Sequence, residues 1–195
     1  MTTDDHKRNR FPKHDHDSIT GLAALLLRAA LGSTLVAHGV KHARSLDGTA
    51  GWFGSIGFRA PRAQAVSSAV VEIGAGSALV AGIATPVAAA ASVGTMAVAA
   101  RSVHLRNGFF ITAEGWEYVA NLAVASVALA GIGPGRWSID RALGWDTRLT
   151  GGRALSAAAA LGLGAAAAQL TAFYANPTKP ESTVPEPAKP EPGSN

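Results

Sequence analysis

Long apolar segments with almost no charge constrain the fold of this chain more than any other feature of its sequence. The first segment runs from Ile19 to His38 and contains a single charged side chain, Arg28. A helix of that length is about 30 Å long, which matches the hydrocarbon thickness of a bilayer. The segment therefore predicts a helix that crosses a membrane.

Four further apolar segments follow, at residues 63–84, 87–103, 116–132 and 155–174. Turn and helix-breaking signals such as Thr85-Pro86 and Gly133-Pro134-Gly135 separate them. The last segment has no charge but is mostly alanine, which favours membrane insertion only weakly. We predict an all-α membrane protein, a four-helix transmembrane bundle with a fifth C-terminal transmembrane helix. A soluble helical bundle is the alternative.

The composition along the chain suggests four parts. Residues 1–18 form a polar tail, 19–141 the four-helix membrane domain, 142–174 a connector with the fifth helix, and 175–195 a Pro/Glu/Lys-rich disordered tail. Charged residues make up only 15% of the chain, well below the usual quarter of a soluble domain. The chain has no cysteine, which excludes disulfides, thiol relays and cysteine-bound iron–sulfur clusters.

Two other patterns predict how the helices pack. Small residues recur at helical spacing and predict close-packed faces in lipid. These are Gly74, Ala78 and Gly82 in one segment and Ala158, Gly162 and Ala166 in another. Between the first two segments, Trp52, Phe53 and Phe58 lie beside arginines, which favours a helix at the membrane interface.

Two charged residues are expected deep in the bilayer, where a charge costs at least about 2.5–3.5 kcal/mol. Arg28 lies ten residues from His38, and Glu72 lies nine residues from Ala63, so both fall at a similar depth on neighbouring antiparallel helices. This match predicts that they form a pair. The pair could fix the helix register or form a proton or quinone site, and a third reading is that the two residues do not meet.

A second polar cluster is expected at one membrane face, where three segments end or begin. Its members are His38, Lys41, His42, Arg101, His104, Asn107, Glu114, Trp116, Glu117 and Tyr118. Histidine beside carboxylates can move protons near neutral pH, although Tyr and Trp could equally form an interfacial belt. The candidate catalytic residues are Arg28, Glu72, His38, His104 and Glu117. The candidate quinone pocket comprises Arg28, Glu72, Asn107 and Tyr118. No metal site is predicted.

The order of several motifs resembles the DoxX family of small bacterial membrane proteins. The matching stretches are LLLRAALGSTLVAHGVKH (25–42), VVEIGAGSALVAGIATP (70–86), VHLRNGFF (103–110), GWEYVANL (115–122) and GPGRWSIDR (133–141). The resemblance implies a four-helix membrane bundle and an association with redox chemistry. Relatives include a subunit of a thiosulfate:quinone oxidoreductase, and members are linked to membrane complexes with a superoxide dismutase and a sulfurtransferase.

These features lead to one main functional hypothesis and two alternatives. The main one is an integral membrane subunit of a redox complex that contacts quinone through Arg28 and Glu72. The alternatives are a non-catalytic scaffold that recruits soluble redox enzymes, and a small proton-coupled transporter. The expected partners are the lipid bilayer, superoxide dismutase-like or sulfurtransferase-like enzymes, and further copies of the chain, but no nucleic acid. The excess of Lys and Arg predicts a cytoplasmic N-terminus in a bacterial cell membrane.

Overall fold

The computed structural model describes residues 13–176, and their side chains from Ser18 onward. This part of the chain folds into seven α-helices. They are α1 (Lys13–Arg44), α2 (Leu46–Ser55), α3 (Pro61–Ala81), α4 (Thr85–Ala99), α5 (Glu117–Ile132), α6 (Ile139–Ala142) and α7 (Gly151–Phe173). A π-helical turn (Ala100–His104) and a 3₁₀ turn (Leu105–Asn107) extend α4.

Four of these helices are long and apolar enough to cross a membrane. They comprise Ser18–Arg44, Pro61–Ala81, Thr85–Asn107 and Gly151–Phe173. Helix α5 is also apolar, but its 16 residues span only about 24 Å. The prediction of an all-α, multi-pass membrane protein is confirmed.

The predicted boundaries differ from the observed ones at both ends of α1. The helix begins at Lys13, inside the segment 1–18 that was predicted as a tail, and it continues beyond His38 to Arg44. The remainder of both predicted tails, residues 1–12 and 177–195, lies outside the described residues.

Helices α1 and α3 pack through glycines at very short distance. A Cβ atom added to Gly32 would lie 2.5 Å from the carbonyl oxygen of Gly76, and one added to Gly76 would lie 2.6 Å from that of Gly32. Seven residues further along α1, or about two turns, a Cβ atom on Gly39 would lie 2.9 Å from Cβ of Glu72. The prediction for Gly74 was wrong, because an added Cβ there would meet nothing within 4 Å.

Helix α7 is part of the bundle and packs against α4 and α5. Its stripe of Ala158, Gly162 and Ala166 is buried, which confirms this predicted packing face. A Cβ atom on Gly162 would lie 2.6 Å from the carbonyl oxygen of Ala90 in α4. The small side chains therefore let the two backbones approach as closely as those of α1 and α3.

Helix α2 covers one end of the bundle. Phe53 and Phe58 are buried and pack edge to face, with ring centroids 5.2 Å apart. A short helix does form in this segment, and its position at the membrane interface stays a prediction. Only Trp52 is substantially exposed, at 44%. The reason is the end of α7, whose Tyr174 packs on Phe58 and forms an antiparallel bridge with it.

Candidate functional site

Arg28 lies at the end of the bundle where α3 ends, and its side chain donates hydrogen bonds to four backbone carbonyls. Its Nε donates to the oxygen of Leu79 at 2.9 Å, and Nη2 donates to that of Val80 at 2.6 Å. Its Nη1 donates to the oxygens of Pro134 and Trp137, at 2.9 and 2.8 Å. The last carbonyls of a helix lack partners within it and carry partial negative charge, so a buried guanidinium is well placed there.

Asp140 completes this end of the bundle. Its two carboxylate oxygens accept hydrogen bonds from the backbone N–H groups of Ala84 and Thr85, at 2.7 and 2.9 Å. The carboxylate thus caps the N-terminus of α4 from the distant helix α6. Through these hydrogen bonds, Arg28 and Asp140 connect α1, α3, α4, α6 and the α5–α6 loop at this end of the bundle.

We expect the cap to contribute measurably to stability. Asp140→Ala would leave the N–H groups of Ala84 and Thr85 without this partner, the second of them buried, and should destabilise the protein by about 1–2 kcal/mol. Thermal unfolding in mild detergent would measure this, as a decrease in apparent Tm of about 2–8 °C. Asp47→Ala is the control, since that side chain is 89% exposed and should matter little. Equal Tm values for the two variants would contradict the capping role.

The predicted pair of Arg28 and Glu72 does not form. Glu72 is level with Gly39, eleven residues beyond Arg28 on α1, which corresponds to about 16 Å along the helix. The prediction measured depth from helix ends taken from the sequence, and α1 extends six residues further than expected. The close contact of Gly32 with Gly76 then sets a register in which the two charges lie far apart.

Glu72 instead belongs to a polar chain with residues of α1 and α3. The hydroxyl of Ser68 donates to Oε1 of Glu72 at 2.7 Å, and Nδ1 of His42 lies 3.0 Å from the same hydroxyl oxygen. The distance from this Nδ1 to Oε2 of Glu72 is 3.4 Å. Glu72 is only 4% exposed, so its carboxylate is held inside the bundle by these two neighbours.

This polar chain borders a cavity of about 130 Å³ that lies beneath α2. Helices α1, α2, α3, α4 and α7 and the π-helical turn all contribute to its wall. The aromatic rings in the wall are those of Trp52 and Phe53. Its polar residues are His42, Ser67, Ser68, Glu72, Thr95, Ser102 and Gln169. A concave site with apolar walls and a few converging polar groups is typical of a small-molecule pocket.

Several residues of the predicted cluster at the membrane face form hydrogen bonds within the α4–α5 loop and do not line a pocket. Nδ1 of His104 lies 2.6 Å from the carbonyl oxygen of Glu114, which also accepts from the side chain of Asn107 at 3.4 Å. A carboxylate oxygen of Glu117 accepts from the N–H of Ile111 at 3.0 Å. These three side chains therefore hold the loop in shape.

Two other predicted site residues lie on the surface. Tyr118 is 40% exposed, and His38 is exposed and makes no hydrogen bond or ion pair among residues 18–176. Neither residue lines the cavity that contains Glu72. Within residues 13–176, no group of three or more His, Asp or Glu side chains is gathered closely enough to hold a metal ion.

Comparison with known proteins adds one finding to this geometry. The family model DoxX matches residues 23–105. Residues 23–105 are thus similar to the DoxX family. No curated protein and no solved structure matches the chain.

The matched segment contains α1 from residue 23 onward and all of α2 to α4, and with them Arg28, His42, Ser68 and Glu72. It ends before α5 and α7, so Gln169 of the cavity wall lies outside the matched residues. The DoxX-like motifs at residues 115–122 and 133–141 also lie beyond the match.

Sequence reasoning did not identify Ser68 or Asp140 as important. Ser68 lies one helical turn before Glu72, a spacing that brings two side chains together, and this signal could have suggested the contact. His42 was placed in the face cluster rather than beside Glu72, because the extension of α1 beyond His38 was not foreseen. No local signal connects Asp140 with Ala84, since the contact joins residues 56 positions apart.

Proposed function

We propose that the protein is the integral membrane subunit of a redox complex, and that the cavity beside Glu72 receives the ring of a quinone. One observation carries this proposal. A buried carboxylate, hydrogen-bonded to a serine and close to a histidine, borders a ring-sized cavity inside a membrane-spanning bundle.

The size and lining of the cavity suit a six-membered ring. A protein cavity of about 150 Å³ is known to bind benzene, and the volume here is similar, about 130 Å³. Trp52 and Phe53 offer aromatic faces and edges against which a ring can pack. The apolar tail of a quinone would extend into lipid.

The polar chain suits the proton transfers that accompany quinone chemistry. A bound quinone would supply the two-electron step. Glu72, Ser68 and His42 form a continuous series of groups that can accept, hold and pass a proton. His42, with a side chain 21% exposed, would connect this series to solvent.

A partner would exchange the electrons with the quinone, because a chain without cysteine has no thiol or iron–sulfur relay. We propose soluble redox enzymes of the superoxide dismutase or sulfurtransferase type for this role. The α4–α5 loop exposes Phe109 and Phe110 at the cavity end of the bundle, which would offer apolar contacts to such an enzyme. The same exposed rings favour the alternative, a scaffold that recruits these enzymes without a ligand of its own.

We also propose a bacterial plasma membrane with the N-terminus in the cytoplasm. The N-terminal side would carry Lys7, Arg8, Arg10, Lys13, Arg136, Arg141, Arg148 and Arg153. The opposite side would carry Lys41, Arg44, Arg59, Arg62 and Arg106, with Lys179 and Lys189 beyond the last helix. The larger number of bases near the spans supports this orientation, which places the cavity toward the outer side.

A cavity-filling substitution tests the proposed site. In mild detergent, a benzoquinone with a short alkyl tail and its quinol should bind saturably and quench tryptophan fluorescence. Val71→Phe adds bulk to the cavity wall and should weaken binding by about tenfold or more. Val70→Phe is the matched control, because this neighbouring residue lies outside the cavity and is 64% exposed.

The outcome separates the proposal from its alternatives. Binding that is unaffected by Val71→Phe would place the ligand elsewhere on the protein. If the wild-type protein binds neither the quinone nor the quinol, the scaffold hypothesis would replace the quinone site.

A further inference from the structure

One oxygen of the buried carboxylate lacks a hydrogen-bond partner. Oε1 of Glu72 accepts from Ser68, but Oε2 accepts no hydrogen bond from the described residues although it is fully buried. A buried acceptor of this kind is costly unless a donor reaches it. The Glu72 side chain also lines the cavity, so a ligand there could provide the donor.

The hydrogen positions explain why His42 does not satisfy this oxygen. Ser68 has one hydroxyl hydrogen and donates it to the carboxylate of Glu72. In the contact between Ser68 and His42, the donor must therefore be Nδ1 of His42. The single hydrogen on Nδ1 is therefore directed to the serine and not to Oε2. In the neutral histidine, the remaining nitrogen is then an acceptor.

Two further hydroxyl groups in the cavity wall, those of Thr95 and Ser102, offer lone pairs rather than hydrogens. Thr95 donates its hydrogen to the carbonyl of Ala91 at 3.0 Å, one turn earlier in α4. Ser102 does the same with Val98 at 2.8 Å. Gln169 uses one amide hydrogen on Gln64 and keeps a second. The wall thus presents several acceptors, and among the described residues no donor in it reaches Oε2 of Glu72.

We infer that the cavity selects the reduced, hydroxyl-bearing form of its ring ligand, a quinol or other phenol, and that Glu72 determines this preference. This inference rests on the proposed function, since it concerns the same site. The two oxygens of a quinone only accept hydrogen bonds, whereas the hydroxyls of a quinol donate. A ligand hydroxyl that reaches Oε2 would donate the hydrogen bond that this oxygen lacks. A ligand carbonyl would instead place two hydrogen-bond acceptors against each other.

The experiment compares the two redox forms on the purified protein in mild detergent without oxygen. Titration calorimetry should show the short-tailed quinol binding at least about tenfold more tightly than the matching quinone. Glu72→Gln introduces an amide that can both donate and accept. In this variant the preference should fall to within about twofold, mainly because the quinone binds better.

A second pair of ligands tests the same preference on the wild-type protein, so this test does not depend on a variant that folds. An alkylphenol and its methyl ether have nearly the same shape, but only the phenol donates, so wild-type protein should bind the phenol at least about tenfold more tightly. Equal binding of the two redox forms, abolished by Val71→Phe, would overturn the inference and leave the quinone site standing. The absence of binding by any of these probes would overturn both.

Discussion

Arg28→Met is expected to destabilise the protein by about 3 kcal/mol or more and to reduce its amount in membranes. The guanidinium donates to four carbonyls, two in α3 and two in the α5–α6 loop. Methionine matches much of its length but donates nothing, and each buried carbonyl left without a partner costs about 1–3 kcal/mol. Part of that cost is offset, because helix-end carbonyls can find partners elsewhere in the membrane.

Thermal unfolding in detergent would measure the effect, as a decrease in apparent Tm of about 6–12 °C. Arg28→Lys should lie between the wild type and Arg28→Met, since an ammonium keeps the charge but lacks the planar fork that reaches both segments. Arg62→Met is the control, because that side chain is 72% exposed and its ion pair with Asp47 is on the surface. Equal melting of the Arg28→Met and Arg62→Met variants would show that the carbonyl contacts of Arg28 do not stabilise the fold.

Gly76→Val should be similarly damaging, for a steric reason. Its Cβ would lie 2.6 Å from the backbone oxygen of Gly32, and backbone cannot move aside as a flexible side chain can. Helices α1 and α3 would have to separate, with the loss of their closest contacts. We expect a cost of about 3 kcal/mol, at the upper end for overpacked sites.

Gly74→Val is the matched control, on the same helix two residues away. Its added Cβ meets nothing within 4 Å, so we expect a change within about 0.5 kcal/mol. Apparent Tm in detergent distinguishes the two variants. A Gly76→Val protein as stable as Gly74→Val would mean that the tight contact between α1 and α3 is not required.

The membrane fold could be predicted from sequence because its signal is long and local. An apolar segment with few charges identifies a spanning helix without reference to any other segment. Which face of each helix packs is a different matter. The stripe centred on Gly162 was identified, but Gly74 was chosen over Gly76, because in a helix this rich in Ala and Gly several small-residue stripes satisfy the same spacing.

The polar site was predictable in part. Glu72 was identified because a buried carboxylate is rare in a membrane span. Its partner was not, since pairing depends on the register of two helices, and an error of a few residues in a helix end moves a side chain by several ångströms. The partners of Arg28 could not have been found from side chains at all, because they are backbone carbonyls.

The position of α7 has a consequence for how related proteins could differ. The DoxX match covers His42, Ser68 and Glu72, yet one wall of the cavity beside them comes from α7, which lies beyond the match. Substitutions at Gln169 or its neighbours would change the shape of the cavity that we propose as the site of a ring ligand. Under the proposed function, such substitutions would alter which ligand the cavity admits while His42, Ser68 and Glu72 stay unchanged.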